Sequence, residues 1–406
     1  MKSPFEDLPR EVGVLAAVAV AVAVGFGVVA PAIPEFARSF GVGKTAAGAV
    51  ISAFALMRFV SALGGGRLVD VFGERVILST GIGIVAVSTG LAGLSQSYVQ
   101  LLVLRGVGGV GSAMFTVSAS ALLFRVVDGS SRGRATGLFQ SGFLIGGLLG
   151  PLVGGLLTDY SLRLPFYVYA VSLVAAGTIG SVFLQGARLR TGGSPGVSEA
   201  AGHDDTSIRE EAEATSLGEA WGHPGYRAAV AVNFAVGWAL FGVRASLIPL
   251  FVTEALHQRA LWTGVGFLFS SVAQAVLLTV AGRFVDRRGR KPAMVAGTLV
   301  TGLALGLLAV STVLPLYLTA MAALGVGGAF VGTAPGAVVG DVMRGRGGKV
   351  VAVFQMASDA GAISGPLVAG WLADTVSFGA AFTSCAVVML AASVLAVQMP
   401  ETLAPR

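Results

Sequence analysis

From Val12 to Ile33 the chain carries no charged side chain, and the same holds from Val76 to Leu94 and from Phe378 to Val397. A helix that crosses the hydrocarbon of a bilayer needs about 20 mostly apolar residues. Blocks of that kind recur about a dozen times by the same measure. Their approximate bounds are 12–33, 46–65, 76–95, 99–124, 134–158, 165–186, 226–252, 262–281, 293–311, 315–341, 349–372 and 378–399. With 54% hydrophobic and 12% charged residues, the chain has about half the charge of an ordinary soluble domain. The expected fold class is therefore an all-α polytopic membrane protein. The first block is too long for the core of a cleaved leader and follows Glu6, Asp7 and Glu11, so it is expected to be retained. The single cysteine, Cys385, lies inside the last block, which excludes an internal disulfide. His203, His223 and His257 have no metal-ligand spacing, and no nucleophile constellation appears. Neither an enzyme nor a metal site is expected.

Lysine and arginine set the orientation. With both termini inside, the inner segments hold Lys2, Arg10, Arg67, Arg75, Arg125 and a long series beyond, whereas the outer loops hold only Arg38, Lys44, Arg163 and Arg259. The ratio, roughly five to one, favours cytoplasmic termini. The net charge of +6 thus reflects membrane topology and gives no reason to expect nucleic acid. A bacterial inner (plasma) membrane is the expected location, with lipid as the surroundings and a monomer as the working unit.

Residues 146–160 read GGLLGPLVGGLLTDY, and residues 361–375 read GAISGPLVAGWLADT. Other stretches repeat at nearly the same offset: FGVVAPAIP at 26–34 with FGVRASLIP at 241–249, and GRLVDVFG at 66–73 with GRFVDRRG at 282–289. Between the copies lies a polar segment rich in Gly, Ser and acidic residues, which suits a mobile cytoplasmic linker. The expected division is a six-helix bundle over 1–186, a linker over 187–225 and a second six-helix bundle over 226–406. A short interfacial helix is expected near Ser216 to Trp221. Parallel repeats of this kind mark transporters that rock two bundles about a site near the bilayer midplane.

Several motifs resemble the major facilitator superfamily, in particular its twelve-helix drug:proton antiporter branch. The stretch 66–78, GRLVDVFGERVIL, is similar to the family's loop signature between the second and third helices. The resemblance implies a conformational latch formed by Gly66, Asp70, Gly73 and Arg75, with Asp286 and Arg290 in the second copy. Val71 and Glu74 replace residues that are usually basic, which weakens the first latch. The stretch 101–113 is similar to the fourth-helix signature and marks Arg105 as a proton-coupling candidate, with Gly108 where glutamine is usual. Gly146, Gly150, Pro151, Gly154 and Gly155 match the fifth-helix pattern, and Gly365 and Pro366 repeat it. Small residues four apart allow close helix approach and proline bends a helix, so these residues are expected to form a seam between the halves. The implied fold is two six-helix bundles related by a pseudo-twofold axis.

Charges inside the spans are few: Arg58, Arg105, Arg244 and Asp359. A charge at that depth is a functional candidate. Counting 1.5 Å per residue, Arg58 lies roughly 18 Å from the outer face and Asp359 roughly 15 Å from the inner one. These depths agree within a 30 Å core. The two are expected to pair across the halves, with a proton on Asp359 breaking the pair; a permanent structural pair is the alternative. The repeat places Gln274 and Leu144 at the corresponding positions, so neither charge is copied. Candidate substrate contacts are Arg244, Gln140, Asn233, Trp238, Gln274, Phe354 and Gln355. With three arginines against one aspartate, the interior favours neutral or anionic amphiphiles. The expected activity is proton-coupled efflux of small amphiphilic or drug-like compounds, without a cofactor and driven by the proton gradient. Transport of a specific nutrient or metabolite, such as a sugar or organic acid, is the alternative.

Overall fold

The computed structural model describes residues 9–127, 132–183, 215–343 and 348–403. Among the described residues, twelve helices are long and apolar enough to cross a membrane. They are α1 (Arg10–Arg38), α2 (Lys44–Phe72), α3 (Glu74–Gly93), α4 (Tyr98–Val126), α5 (Arg132–Tyr160) and α6 (Leu164–Phe183) in the first half. The second half holds α7 (Pro224–Ala255), α8 (Leu261–Arg288), α9 (Arg290–Ala309), α10 (Leu314–Val342), α11 (Gly348–Thr375) and α12 (Phe378–Gln398). Hydrocarbon offers the backbone no partner, so each crossing segment closes its own hydrogen bonds as a helix. Several helices outrun their apolar blocks. α2 continues past residue 65 to Phe72, because helix geometry persists where the chain leaves hydrocarbon and polar residues begin.

An even number of crossings puts the two chain ends and the linker on one face, called here the linker face. The opposite, far face carries the connections between α1 and α2, α3 and α4, α5 and α6, α7 and α8, α9 and α10, and α11 and α12. Residues 184–214, most of the linker, lie outside the described residues. Its end forms a short helix, Leu217–Gly222, where the Ser216 side chain accepts from the Glu219 N–H and Glu219 accepts from the Ser216 N–H. This capping box satisfies two otherwise orphaned donors.

Each half has its own apolar core: Leu15, Ile33, Leu78 and Phe166 belong to one, and Tyr226, Leu247, Tyr317 and Phe382 to the other. The packing pattern repeats. α1 packs on α5 and α6, α2 on α4, and α3 on α4 and α6; α7 packs on α11 and α12, α8 on α10, and α9 on α10 and α12. Across the halves the two main contacts are α2 with α11 and α5 with α8, which are themselves repeats of one another. A pseudo-twofold axis therefore runs between them. Gly73 (φ 80°) and Gly289 (φ 115°) make the equivalent turns from α2 to α3 and from α8 to α9. That backbone region is free of steric cost only for glycine. Gly66 lies within α2, away from the turn; its surroundings and the side chain of Asp70 lie outside the described residues.

Candidate functional site

The halves meet firmly at the far face. Arg38 Nε pairs with Glu254 Oε1 at 2.7 Å, and Lys44 Nζ reaches Glu254 at 3.5 Å and Asp374 at 3.9 Å. Asp374 also accepts from the Lys44 and Thr45 N–H groups, both at 2.8 Å, and so caps the first turn of α2. On the other edge Arg259 Nη2 lies 3.1 Å from Asp159, the repeat of Asp374. Deeper along α2 and α11, Ser52 Oγ donates to Ile363 O at 2.7 Å, and the Gly48 backbone lies against Pro366. Along α5 and α8, Gly155 lies against Ala260 and Leu261, Gly264 against Pro151, and Ser271 Oγ donates to Gly147 O at 3.0 Å. Toward the linker face these helices turn apolar side chains outward, Leu63 and Phe72 on α2 and Val276 on α8 among them. Among the described residues, the hydrogen bonds and ion pairs between the halves run inward from the far face.

At the bottom of that seam Arg58 Nη2 lies 2.6 Å from Asp359 Oδ1. The two charges read from depth alone are thus brought together from opposite halves. Their side chains are 42% and 26% exposed. Both side chains are thus only partly enclosed by protein.

The other two buried arginines sit differently. Arg105 on α4 is 2% exposed, lies over the Phe54 ring at 4.5 Å, and leaves Nε and Nη1 without hydrogen-bond partners. Arg244 stacks over the Phe267 ring at 4.8 Å. It begins a regular helical stretch just after a π-helical segment, Gly237–Val243. Such a bulge displaces the side chains that follow it, and nothing in the sequence announces it.

The glycine seam divides in two. Gly146 and Gly154 lie against Ala23 and Val28, and a Cβ on Gly150 would meet Gly27 Cα at 2.7 Å. All three therefore pack α5 on α1 within the first half, not across the halves as expected. Gly155 and Pro151 do face α8. In the second copy Gly365 packs on Trp238 of its own half, while Pro366 faces Gly48 across the seam. Helical period explains the split, since residues 146, 150 and 154 form one stripe and 147, 151 and 155 the next.

The latch residues of the second copy also act within their half. Arg290 pairs with Asp286 and with Asp341, each at 3.0 Å, and its N–H donates to Glu401 Oε1 at 2.8 Å. Glu74, the departure from the signature, is buried and pairs with Arg125 at 2.7 Å. Arg75 is half-buried. Among the substrate candidates, Asn233 donates to Phe354 O at 2.7 Å and Gln274 to Gly328 O at 3.5 Å, so both tie helices together. Trp238 is buried, Phe354 packs on the second core and Gln355 is exposed. The side chain of Gln140 lies outside the described residues. Sequence reading passed over the far-face network of Arg38, Lys44, Asp159, Glu254, Arg259 and Asp374. Its one signal was the repeat of Asp159 in Asp374, each ending a seam helix.

The Major Facilitator Superfamily profile matches residues 15–270 and 229–405, which together span nearly the whole chain. The chain belongs to the Major Facilitator Superfamily. An uncharacterized transporter of this superfamily from Methanocaldococcus jannaschii is 22% identical over 355 residues, covering 86% of this chain and 88% of that one. Multidrug resistance protein 2 of Bacillus subtilis is 25% identical over 299 residues, covering 73% of this chain and 71% of its own length. The crystal structure of a human organic anion transporter superposes with a TM-score of 0.67 at 19% identity, over 97% of this chain and 100% of that one. That likeness concerns the fold. As a member of the superfamily, the chain is a multi-pass membrane transporter of a small-molecule substrate.

Proposed function

We propose that the chain exports small amphiphilic, drug-like compounds in exchange for protons, by alternating access, as a monomer of the plasma membrane with both termini in the cytoplasm. In that orientation the linker face is cytoplasmic and the structure is closed to the outside. The observation that carries the reading is the Arg58–Asp359 pair, the innermost polar contact of the closed seam. A proton on Asp359 removes the charge that holds Arg58 and loosens the midpoint between the halves. Losing that proton restores the pair, so the charge state of one carboxyl biases which face is open. The resemblance to Multidrug resistance protein 2 supports efflux of toxic compounds. No cofactor is needed, since the proton gradient supplies the work.

Inverted membrane vesicles, acidified inside and loaded with a pH-reporting dye, test this directly. Compounds from a chemically varied toxic panel are added outside, and an exchanged compound draws protons out of the lumen. Asp359→Asn is expected to lower this proton-driven flux at least about tenfold, roughly the effect of 1.4 kcal/mol on an equilibrium. Unchanged flux with unchanged pH dependence would refute the coupling role.

A further inference from the structure

Arg105 is the least satisfied charge among the described residues. It is 2% exposed, two of its nitrogens have no hydrogen-bond partner, and among the described residues no carboxylate forms an ion pair with it. A guanidinium carries five N–H donors, and a charge held away from water is costly unless something accepts them. The Phe54 face at 4.5 Å supplies attraction to the cation but accepts no ordinary hydrogen bond. Gly108, one turn further along α4, has no side chain to offer. Arg58 is already matched by Asp359, and Arg244 stacks on a ring as Arg105 does. Among the described residues, Arg105 and Arg244 thus carry positive charge without an acidic ion-pair partner.

A line of rings leads from this guanidinium to an exposed side chain. Phe54 lies 6.4 Å from Phe26, Phe26 meets Tyr169 edge-on at 6.3 Å, and Phe26 is exposed on α1. The repeat of Phe26 is Phe241, likewise exposed on α7. Flat apolar surface at one end and an unmatched fork of donors at the other describe the complement of a particular molecule. Guanidinium forks match carboxylates, with hydrogen bonds about twice as strong as neutral ones.

We propose that Arg105 is the anion-holding residue of the substrate cavity, and that the compound carried is an amphiphilic carboxylate whose flat apolar body lies along Phe26 and Phe54. The proposal rests on the reading of the chain as an exporter of amphiphiles, and does not need the proton coupling assigned to Asp359.

The test is equilibrium binding of three fluorescent probes to the full-length protein in lipid nanodiscs at pH 7: 1-pyrenebutanoate, its uncharged methyl ester and 1-pyrenemethylamine. The wild type is expected to bind the acid about tenfold or more tightly than the ester, as a charge-assisted hydrogen bond implies. The amine is expected to bind more weakly than the ester. Arg105→Gln is expected to bring acid and ester within about twofold, and Arg105→Lys to keep part of the preference. Phe26→Ala is expected to weaken acid and ester alike and leave their ratio unchanged. A wild type indifferent to the charge overturns the proposal. So does a preference that survives Arg105→Gln, or one that vanishes in Arg244→Gln instead. Should Arg105→Gln fail to assemble, judged by its melting in nanodiscs, the Arg105→Lys and Phe26→Ala ratios still decide. No gradient is applied, so failure of the Asp359→Asn experiment and failure of this one are separate results.

Discussion

Glu74 and Arg125 join the start of α3 to the end of α4, and one repeat further along the chain Arg290 and Asp341 join α9 to α10. The same contact is made with its charges exchanged, so the fold requires opposite signs there without fixing which helix carries which. Glu74 is buried while Arg125 is largely exposed. Glu74→Arg alone should therefore cost about 1–2 kcal/mol, less than the 3–5 kcal/mol of a fully buried pair. Adding Arg125→Asp should restore most of it, and thermal unfolding in detergent reads both. A double variant as weak as the single would show that helix-specific surroundings decide the sign. At this scale the sequence was unevenly legible. Arg58 and Asp359 could be matched because depth along a helix converts linearly into distance. Asp341 and Glu401 could not be matched with Arg290, because pairing at helix ends depends on turns that depth does not measure.

Among the elements, α5 shows how one motif serves two surfaces. The stripe through Gly146, Gly150 and Gly154 is filled by α1; in the adjoining stripe Gly155 and the Pro151 carbonyl lie against α8, and Gly147 O accepts from Ser271. Alanine at Gly150 would meet Gly27 Cα at 2.7 Å, backbone against backbone. It should lower the yield and melting temperature of the folded first half. Alanine at Gly155 would meet Ala260 O at 2.9 Å and Leu261 Cα at 3.1 Å across the seam. That variant should fold yet part the far face, raising thiol labelling of a cysteine placed at Thr45. Cys385 is buried and contributes little background. Equal effects of the two changes would argue against two independent stripes. The twelve helices were readable because twenty apolar residues leave a membrane chain few alternatives. Which neighbour a small residue serves was not, since glycine in a sequence marks close approach without naming the partner. The π-helical segment before Arg244 was equally silent, being set by packing around α7.

For the whole molecule, the far face is held by a handful of weak ion pairs added to close backbone packing of Gly48 on Pro366 and Gly155 on Ala260. Arg38–Glu254, Lys44–Glu254, Lys44–Asp374 and Arg259–Asp159 are all partly exposed. At about 0.2–1 kcal/mol each they sum to a few kcal/mol. Two conformations of one protein commonly differ by about that much. Glu254→Gln touches two of the pairs at once and should shift the balance toward the far-open form by about threefold to tenfold. Distances between spin labels on Tyr160→Cys and Val376→Cys, exposed sites on opposite halves, would report it. An unchanged distance distribution would mean that apolar packing alone holds this face. The two edges of the closure differ in kind. Asp374 holds main-chain amides of α2, whereas Asp159 holds the tip of a long, mostly exposed arginine. One margin is thus held by a stiff clasp and the other by a slack tether, so an opening at this face is expected to start, like a lopsided door, where α5 meets α8.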